Sequence, residues 1–250
     1  MRQIKTRRDL LLFSLDTERI LVVSCDSAGG IGPKPFDDVK VSGEVLGKFT
    51  ARVALMEVLS VGATPICLTA TLGVERKPTG IEIIKGVESE LRFARLNART
   101  PILDSTEKNF TVSQTAVGVT IIGTVSSRYL KIGLCKHGDV VIAVGSPCVG
   151  KDVILGDREG RIADTRDVRA LVKKSFVHEI IPVGSQGIMR EAATMAQDSG
   201  LQLAPNENVN IDCGKSAGPA TVTLCAVPRS RARTLMESVR KPANIVGFLV

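Results

Sequence analysis

The stretch CDSAGGIGPKPFDDVKVSGEVLGKFTARVALMEVLSVGATP, Cys25–Pro65, decides how the chain is read. The short β-branched run Ile20–Cys25 predicts a strand, which sets Asp26 at a strand's C-terminal end. A carboxylate there, beside a flexible turn, is a Mg²⁺ ligand of the right hardness. Gly29, Gly30 and Gly32 let backbone N–H groups approach phosphate oxygens with no Cβ in the way. Lys34 and the pair Asp37–Asp38 follow in a loop stiffened by Pro33 and Pro35. Gly43–Val61 has apolar residues at helical spacing and stops at Gly62. Glu57 shares a helix face with Leu46, Thr50, Ala54 and Val61, where an unpaired carboxylate is costly unless a cation or a lysine meets it. The segment thus offers Asp26, Glu57 and one of Asp37 or Asp38 to a metal, and Lys34 and the glycine backbone to a phosphate chain. The plainer alternatives are an Asx-type turn at Asp26, a solvated Asp37–Asp38 pair, and Glu57 at the edge of its apolar stripe.

Composition narrows the partners. The chain has 250 residues, 44% of them hydrophobic, enough for one large or two modest globular domains. Runs such as Val117–Ile122 and Val140–Val144 are too short to span a bilayer. The basic, then apolar, start MRQIKTRRDLLLFSL is interrupted by Asp9 and has no small-residue cleavage site. The expectation is a cytoplasmic protein with no membrane partner. The six cysteines form no C-x-x-C pair, so buried, reduced thiols are expected rather than a zinc or redox motif. Two histidines, His137 and His178, leave little room for a Ser-His-Asp triad or a zinc site. The net charge of +7 is scattered, and aromatics are only 3% with no Trp. No nucleic-acid partner is therefore expected; the basic surface suits anionic small molecules.

Periodicity places helices at Gly43–Val61, Thr79–Asn97, Thr165–Lys174, Ser185–Ser199 and Ser230–Arg240. Strands are placed at Ile20–Cys25, Ile66–Val74, Thr111–Val125, Asp139–Gly145, Ala220–Val227 and Ala243–Val250. Each half mixes the two, and the polar stretch SSRYLKIGLCKHGD sets a boundary near residue 130. Two domains are expected, 1–130 and 131–250. Asp104-Ser105-Thr106-Glu107 precedes the strand starting near Thr111 and is a second place where acids gather. Gly145–Lys151 matches G-x-x-x-x-G-K after a strand, but Asp152 stands where Mg²⁺ needs Ser or Thr, and VILGDREG reads as a poor helix. A P-loop is therefore not expected.

Several segments, in order, resemble the superfamily of aminoimidazole ribonucleotide (AIR) synthetase, thiamine-monophosphate kinase, selenophosphate synthetase and the hydrogenase-maturation protein HypE. They are Asp26 with SAGGIG, Glu57-VLSVGAT-Pro65, SQTAVGVTIIGTV (113–125), His137-GDVVIAV-Gly145, and the closing segments Cys213–Pro228 and Ile245–Gly247. The resemblance implies a two-domain α+β, PurM-like fold: an N-terminal mixed sheet with helices that forms a dimeric barrel, and a C-terminal α/β sandwich. It also implies a homodimer, with ATP and Mg²⁺ as cofactors bound near the N-terminal domain.

The departures redirect the reading. LLLFS replaces an early acidic pair, Ala54 replaces an Asn, and Val183-Gly-Ser-Gln-Gly187 lacks both aspartates of the second domain's D-x-S-D-G. The chain ends in GFLV without HypE's cysteine, and no reactive N-terminal Cys loop is present. The text DSAGGIGPKPFDDVKVSGEVLG and the segment Ser105, Thr106, Glu107, Asn109 are similar to the AIR-synthetase-related branch that includes α-ribazole kinases. That branch implies phosphorylation of the 5′-hydroxyl of a nucleoside-like substrate, α-ribazole, by ATP. Asp26 and Glu107 are then the catalytic candidates; Gly29, Gly30, Gly32, Lys34, Asp104 and Thr106 the ATP contacts; and Asp26, Asp37, Asp38 and Glu57 the metal ligands. The alternatives are a kinase or ATP-dependent synthetase for another metabolite, and a non-catalytic nucleotide-binding module.

Overall fold

A computed structural model describes residues 4–96 and 100–250. The chain divides into two compact units, Met1–Val58 with Ala63–Arg128, and Leu59–Gly62 with Tyr129–Val250.

The first unit is built on a six-stranded mixed sheet of order β1-β2-β3-β8-β6-β7. Its elements are β1 (Ile4–Arg7), β2 (Leu10–Ser14), β3 (Arg19–Gly29), the short β4 (Ile31–Gly32) and β5 (Val39–Lys40), α1 (Gly43–Ser60), β6 (Thr64–Leu72), α2 (Ile81–Phe93), β7 (Ile102–Thr106) and β8 (Ala116–Ser126). Only β6 and β7 pair in parallel in the large sheet. Ser42 starts α1 by accepting a hydrogen bond from Val45 N (3.3 Å), and Gly62 (φ 82°) lets the chain leave it. The two helices cross with their backbones nearly touching. A Cβ on Gly47 would lie 2.0 Å from Ile83 O, and one on Gly86 2.1 Å from Glu44 O. Beside this crossing the Arg52 guanidinium and the Glu90 carboxylate form a fully buried pair (3.0 Å). The helices cover one sheet face only: Val58 packs where a Cβ on Gly123 of β8 would be.

The second unit is an α/β sandwich on an antiparallel sheet of order β10-β12-β9-β13-β11. It comprises β9 (Asp139–Gly145), α3 (Asp152–Arg158), α4 (Thr165–Val172), β10 (Glu179–Pro182), α5 (Ile188–Asp198), β11 (Leu203–Pro205), β12 (Val222–Pro228), α6 (Ala232–Ser238) and β13 (Ala243–Leu249). One core holds Val141, Ala143 and Leu224 with α5; the other holds Val140, Ile142 and Val144 with α4 and α6. His178 pairs with Asp139, its Nδ1 lying 2.7 Å from Asp139 Oδ2.

Several expectations change. Strand β3 runs to Gly29, because Asp26 to Gly29 stay in register with Val119 to Ala116, so Asp26 lies inside the strand. The segment expected to be a poor helix forms α3; Gly156 is required there because a Cβ would lie 2.8 Å from Ile162 Cγ2 and 3.1 Å from Cys148 Sγ. Asp104 to Thr106 belong to β7 rather than to a loop. The β1–β2 hairpin, β10 and β11 were not expected. The helix expected over Thr79–Asn97 is regular over Ile81–Phe93, and residue 97 lies outside the described residues. Among the cysteines, all free, Cys25 is exposed rather than buried. No helix among the described residues is long and apolar enough to cross a membrane.

Candidate functional site

In the first unit, β3, β8, β6 and β7 bring one row into register: Ser27, Gly118, Thr71 and Ser105. These residues lie on the face that α1 and α2 leave uncovered. With Gly29, Gly73 and Glu107 they line a depression of about 640 Å³. Gly118 makes its floor; a Cβ there would lie 2.8 Å from Thr71 Oγ1. The row offers three hydroxyls over a bare backbone floor, that of Thr71 donating to Gly118 O (3.4 Å). Glu107 closes one end, its own N–H donating to Leu72 O and Val74 O (3.0 Å each). The Glu107 carboxylate accepts from Asn109 N (2.7 Å) and Phe110 N (3.3 Å), and these bonds hold it below the usual carboxylate range.

The glycine loop is stapled rather than open. The Asp37 carboxylate accepts from Lys34 N, Thr115 N and Thr115 Oγ1, each at 2.7 Å. Burial raises its pKa, but these bonds outweigh burial and leave it lowered. Gly30 N donates to Thr115 O (2.9 Å), and Gln114 Nε2 to Phe36 O (2.7 Å). Gly32 (φ 147°) permits the closure: a Cβ would lie 2.5 Å from Thr115 Oγ1. The Lys34 ammonium pairs with Glu75, which also accepts from Thr79 Oγ1 (2.6 Å). Burial raises the Glu75 pKa, and the bonds from Lys34 and Thr79 pull it below the ordinary value.

This geometry does not gather the expected ligand set at the depression. Side chains alternate along a strand, so Asp26 points to the helix-covered face, away from Ser27 and the depression. Burial, with Asp9 adding to it, pushes the Asp26 carboxyl up to about 6 against the bond from Ser27 N. Asp104 sits in the same row as Asp26, but three strand spacings away, about 14 Å, and pairs with Arg76. Asp37 is spent on the loop, Asp38 is exposed, and Glu57 is buried on α1 with interactions of its own. Among the described residues no three His, Cys, Asp or Glu side chains gather to hold a metal ion. Lys34 is committed to Glu75, and the Gly30 N–H to Thr115. Of the expected ATP contacts and catalytic groups, Gly29, Thr106 and Glu107 are brought together at the depression.

Thr71, Gly118, Thr115 and Glu75 were not singled out from the sequence. Gly118 carried a readable signal, a glycine inside a strand pattern, which marks a close approach or a missing side chain.

No protein-family model matches the chain, and no curated protein matches its sequence. Solved structures do match its fold. The chain is similar to a chain of the HypE–HypF complex at TM-score 0.68 and 16% identity, covering 95% of this chain and 86% of that one. It is similar to a ThiL complexed with AMPPCP and TMP at TM-score 0.64 and 13% identity, covering 96% and 84%. The thiamine-monophosphate kinase from Stenotrophomonas maltophilia K279a aligns at TM-score 0.62 and 15% identity, covering 99% and 88%. The chain therefore has a PurM-like α+β fold.

Proposed function

We propose that this protein is an ATP-dependent small-molecule kinase that binds the nucleotide phosphates in the depression between Ser27, Thr71, Ser105 and Glu107. The hydroxyl row over the Gly118 floor carries the reading: neutral donors and a missing side chain admit a polyanion closely. The likeness to a ThiL complexed with AMPPCP supports it. Phosphoryl transfer asks for positioning and charge neutralisation more than covalent chemistry. Ser27, Thr71 and Ser105 would donate to phosphate oxygens, and the Thr106–Glu107 turn would set the end of the chain.

Mg²⁺ is commonly held by one or two carboxylates together with substrate phosphates, and then needs no acid cage. The set Asp26, Asp37, Asp38 and Glu57 does not fit it. Glu107 does, because it is held ionised at the depression. Bound there, Mg²⁺ would supply charge neutralisation on the phosphates.

The acceptor we propose is a nucleoside-like alcohol, α-ribazole first. The homodimer belongs to the same reading. The uncovered sheet face carries the depression together with exposed Leu11 (41%) and Leu103 (72%), so a second copy seated on it would enclose the nucleotide.

The test is ADP release by purified protein with Mg²⁺ and ATP across α-ribazole, thiamine monophosphate and other nucleosides. Turnover with α-ribazole is expected. Gly118→Val, which fills the floor, should weaken ATP binding by about tenfold or more, on the order of the loss of one charge-assisted hydrogen bond. ATP binding without turnover on any acceptor would favour the non-catalytic module, motivated by the acids that turn away from the depression. Undiminished ATP binding by Gly118→Val would remove the site itself.

A further inference from the structure

The second unit holds a cleft of about 570 Å³ between α6 and the strands β9 and β13. Its walls are Val140, Ala232, Met236, Ile245 and Phe248. Beside the cleft β13 is irregular. The register shifts between Ile245 and Gly247, so that Ile245 faces with Ile142 and Phe248 with Val140. That bulge brings two large apolar side chains to one face despite their spacing of three. On this face Leu171 of α4, Ile180 of β10 and Leu235 of α6 are fully buried, while Met236, Ile245 and Phe248 stay only partly buried.

Charge sets what can enter. Arg233 at the rim is neutralised by Glu237 (2.7 Å). Arg229 lies over the Phe248 ring, 5.7 Å from its centroid, and pairs with no acid among the described residues. The cleft therefore combines an apolar body with one uncompensated, oriented guanidinium. Its volume falls within the range of about 300–1,000 Å³ usual for small-molecule sites, where a few placed polar groups orient a mainly apolar ligand. A guanidinium is also the side chain suited to planar, two-pronged recognition of a carboxylate.

We propose that this cleft binds a small monoanion with an apolar body, a carboxylate whose tail lies on Met236, Ile245 and Phe248 and whose head meets Arg229. The site lies within the second unit and does not depend on the nucleotide reading of the first.

Met236 gives a direct probe. In protein labelled with ¹³C at its methionine methyls, five in all, the Met236 signal is identified by its loss in Met236→Leu. Octanoate titrated into the full chain should shift that signal saturably, and 1-octanol should bind about tenfold more weakly, the loss of one charge-assisted hydrogen bond. Arg229→Gln should bring octanoate down to the level of octanol. Arg229→Glu should reverse the preference toward octylammonium. Arg229 is exposed, so neither change disturbs the core; and the octanoate–octanol comparison in the unaltered protein stands without any variant. Equal binding of octanoate and octanol, a Met236 signal that stays still at millimolar octanoate, or an unchanged octanoate affinity in Arg229→Gln would each overturn the proposal.

Discussion

The two sheets solve the burial problem differently. Every residue of β9 in the second unit is buried, with one core on each face. Its sequence, DVVIAVG, is accordingly a near-continuous apolar run. In the first unit β8 alternates: Val117, Val119, Ile121 and Val125 are buried, while Thr120, Ile122, Thr124 and Ser126 on the other face are half-covered. The pattern AVGVTIIGTVS records that one-sided cover. A sheet covered on both faces keeps open a cleft beside α6. A sheet closed on one face keeps its whole other face open, and the candidate nucleotide site lies there.

The largest test breaks the closed side of the first sheet. Arg52 and Glu90 are 1% and 0% exposed, with Arg52 between the rings of Phe49 and Phe93. Replacing Arg52 alone by Met removes the Arg52 charge from a buried carboxylate and should cost about 3–5 kcal/mol. The double change Arg52→Met/Glu90→Leu should recover most of it. Denaturant titration reads both, and a single variant as stable as the parent would mean that the helix crossing does not depend on the pair.

A smaller effect of opposite sign is expected at Asp26. Its carboxyl is raised from 3.8 to about 6 by burial, with Asp9 contributing. The folded chain then holds a proton that the unfolded chain has released between those values. Stability therefore falls as pH rises through about 4 to 6, and at neutral pH the charged group costs up to about 3 kcal/mol. Asp26→Asn should stabilise the metal-free protein at pH 7 and flatten its stability profile between pH 4 and 6. A profile unchanged by the substitution would mean that Asp26 is well solvated. Asp37 and Glu75 titrate the other way: their lowered values add stability at neutral pH that is lost only as acid protonates them.

Much of the scaffold was legible from local pattern. The bounds of β9 coincide with its apolar run, and α1 begins at Gly43, where its periodicity begins, and ends one residue short of the expected Val61. The chemistry was less legible, because it rests on partners far along the chain. Asp37 is claimed by Thr115, 78 residues away, and Lys34 by Glu75, 41 residues away. No local spacing carries that information. Asp26 was misread for a different reason. Its β-branched run stops at Cys25, yet the glycines beyond it pair with β8, and a strand carried past Asp26 assigns its side chain to one face and Ser27 to the other. The resemblance rests on segments read in order along the chain, whereas the tertiary pairing decides which of their side chains meet.

The smallest effect on the folded chain is expected on the uncovered face itself. Leu11 is 41% exposed and pairs across the sheet with Val23, on the same face as the exposed Cys25. A single chain gains little from an apolar side chain so placed, and Leu11→Lys should change its stability by no more than about 0.5 kcal/mol. If a second copy covers this face, the same lysine would be buried against it without a partner and would oppose association. Sedimentation should then show the parent as a dimer and Leu11→Lys as a monomer with an unaltered melting curve at low concentration. ATP affinity should fall together with the dimer, because the depression lies on the same face. A variant that stays dimeric with parental ATP affinity would place the partner surface elsewhere and leave the depression as a site that one chain completes alone.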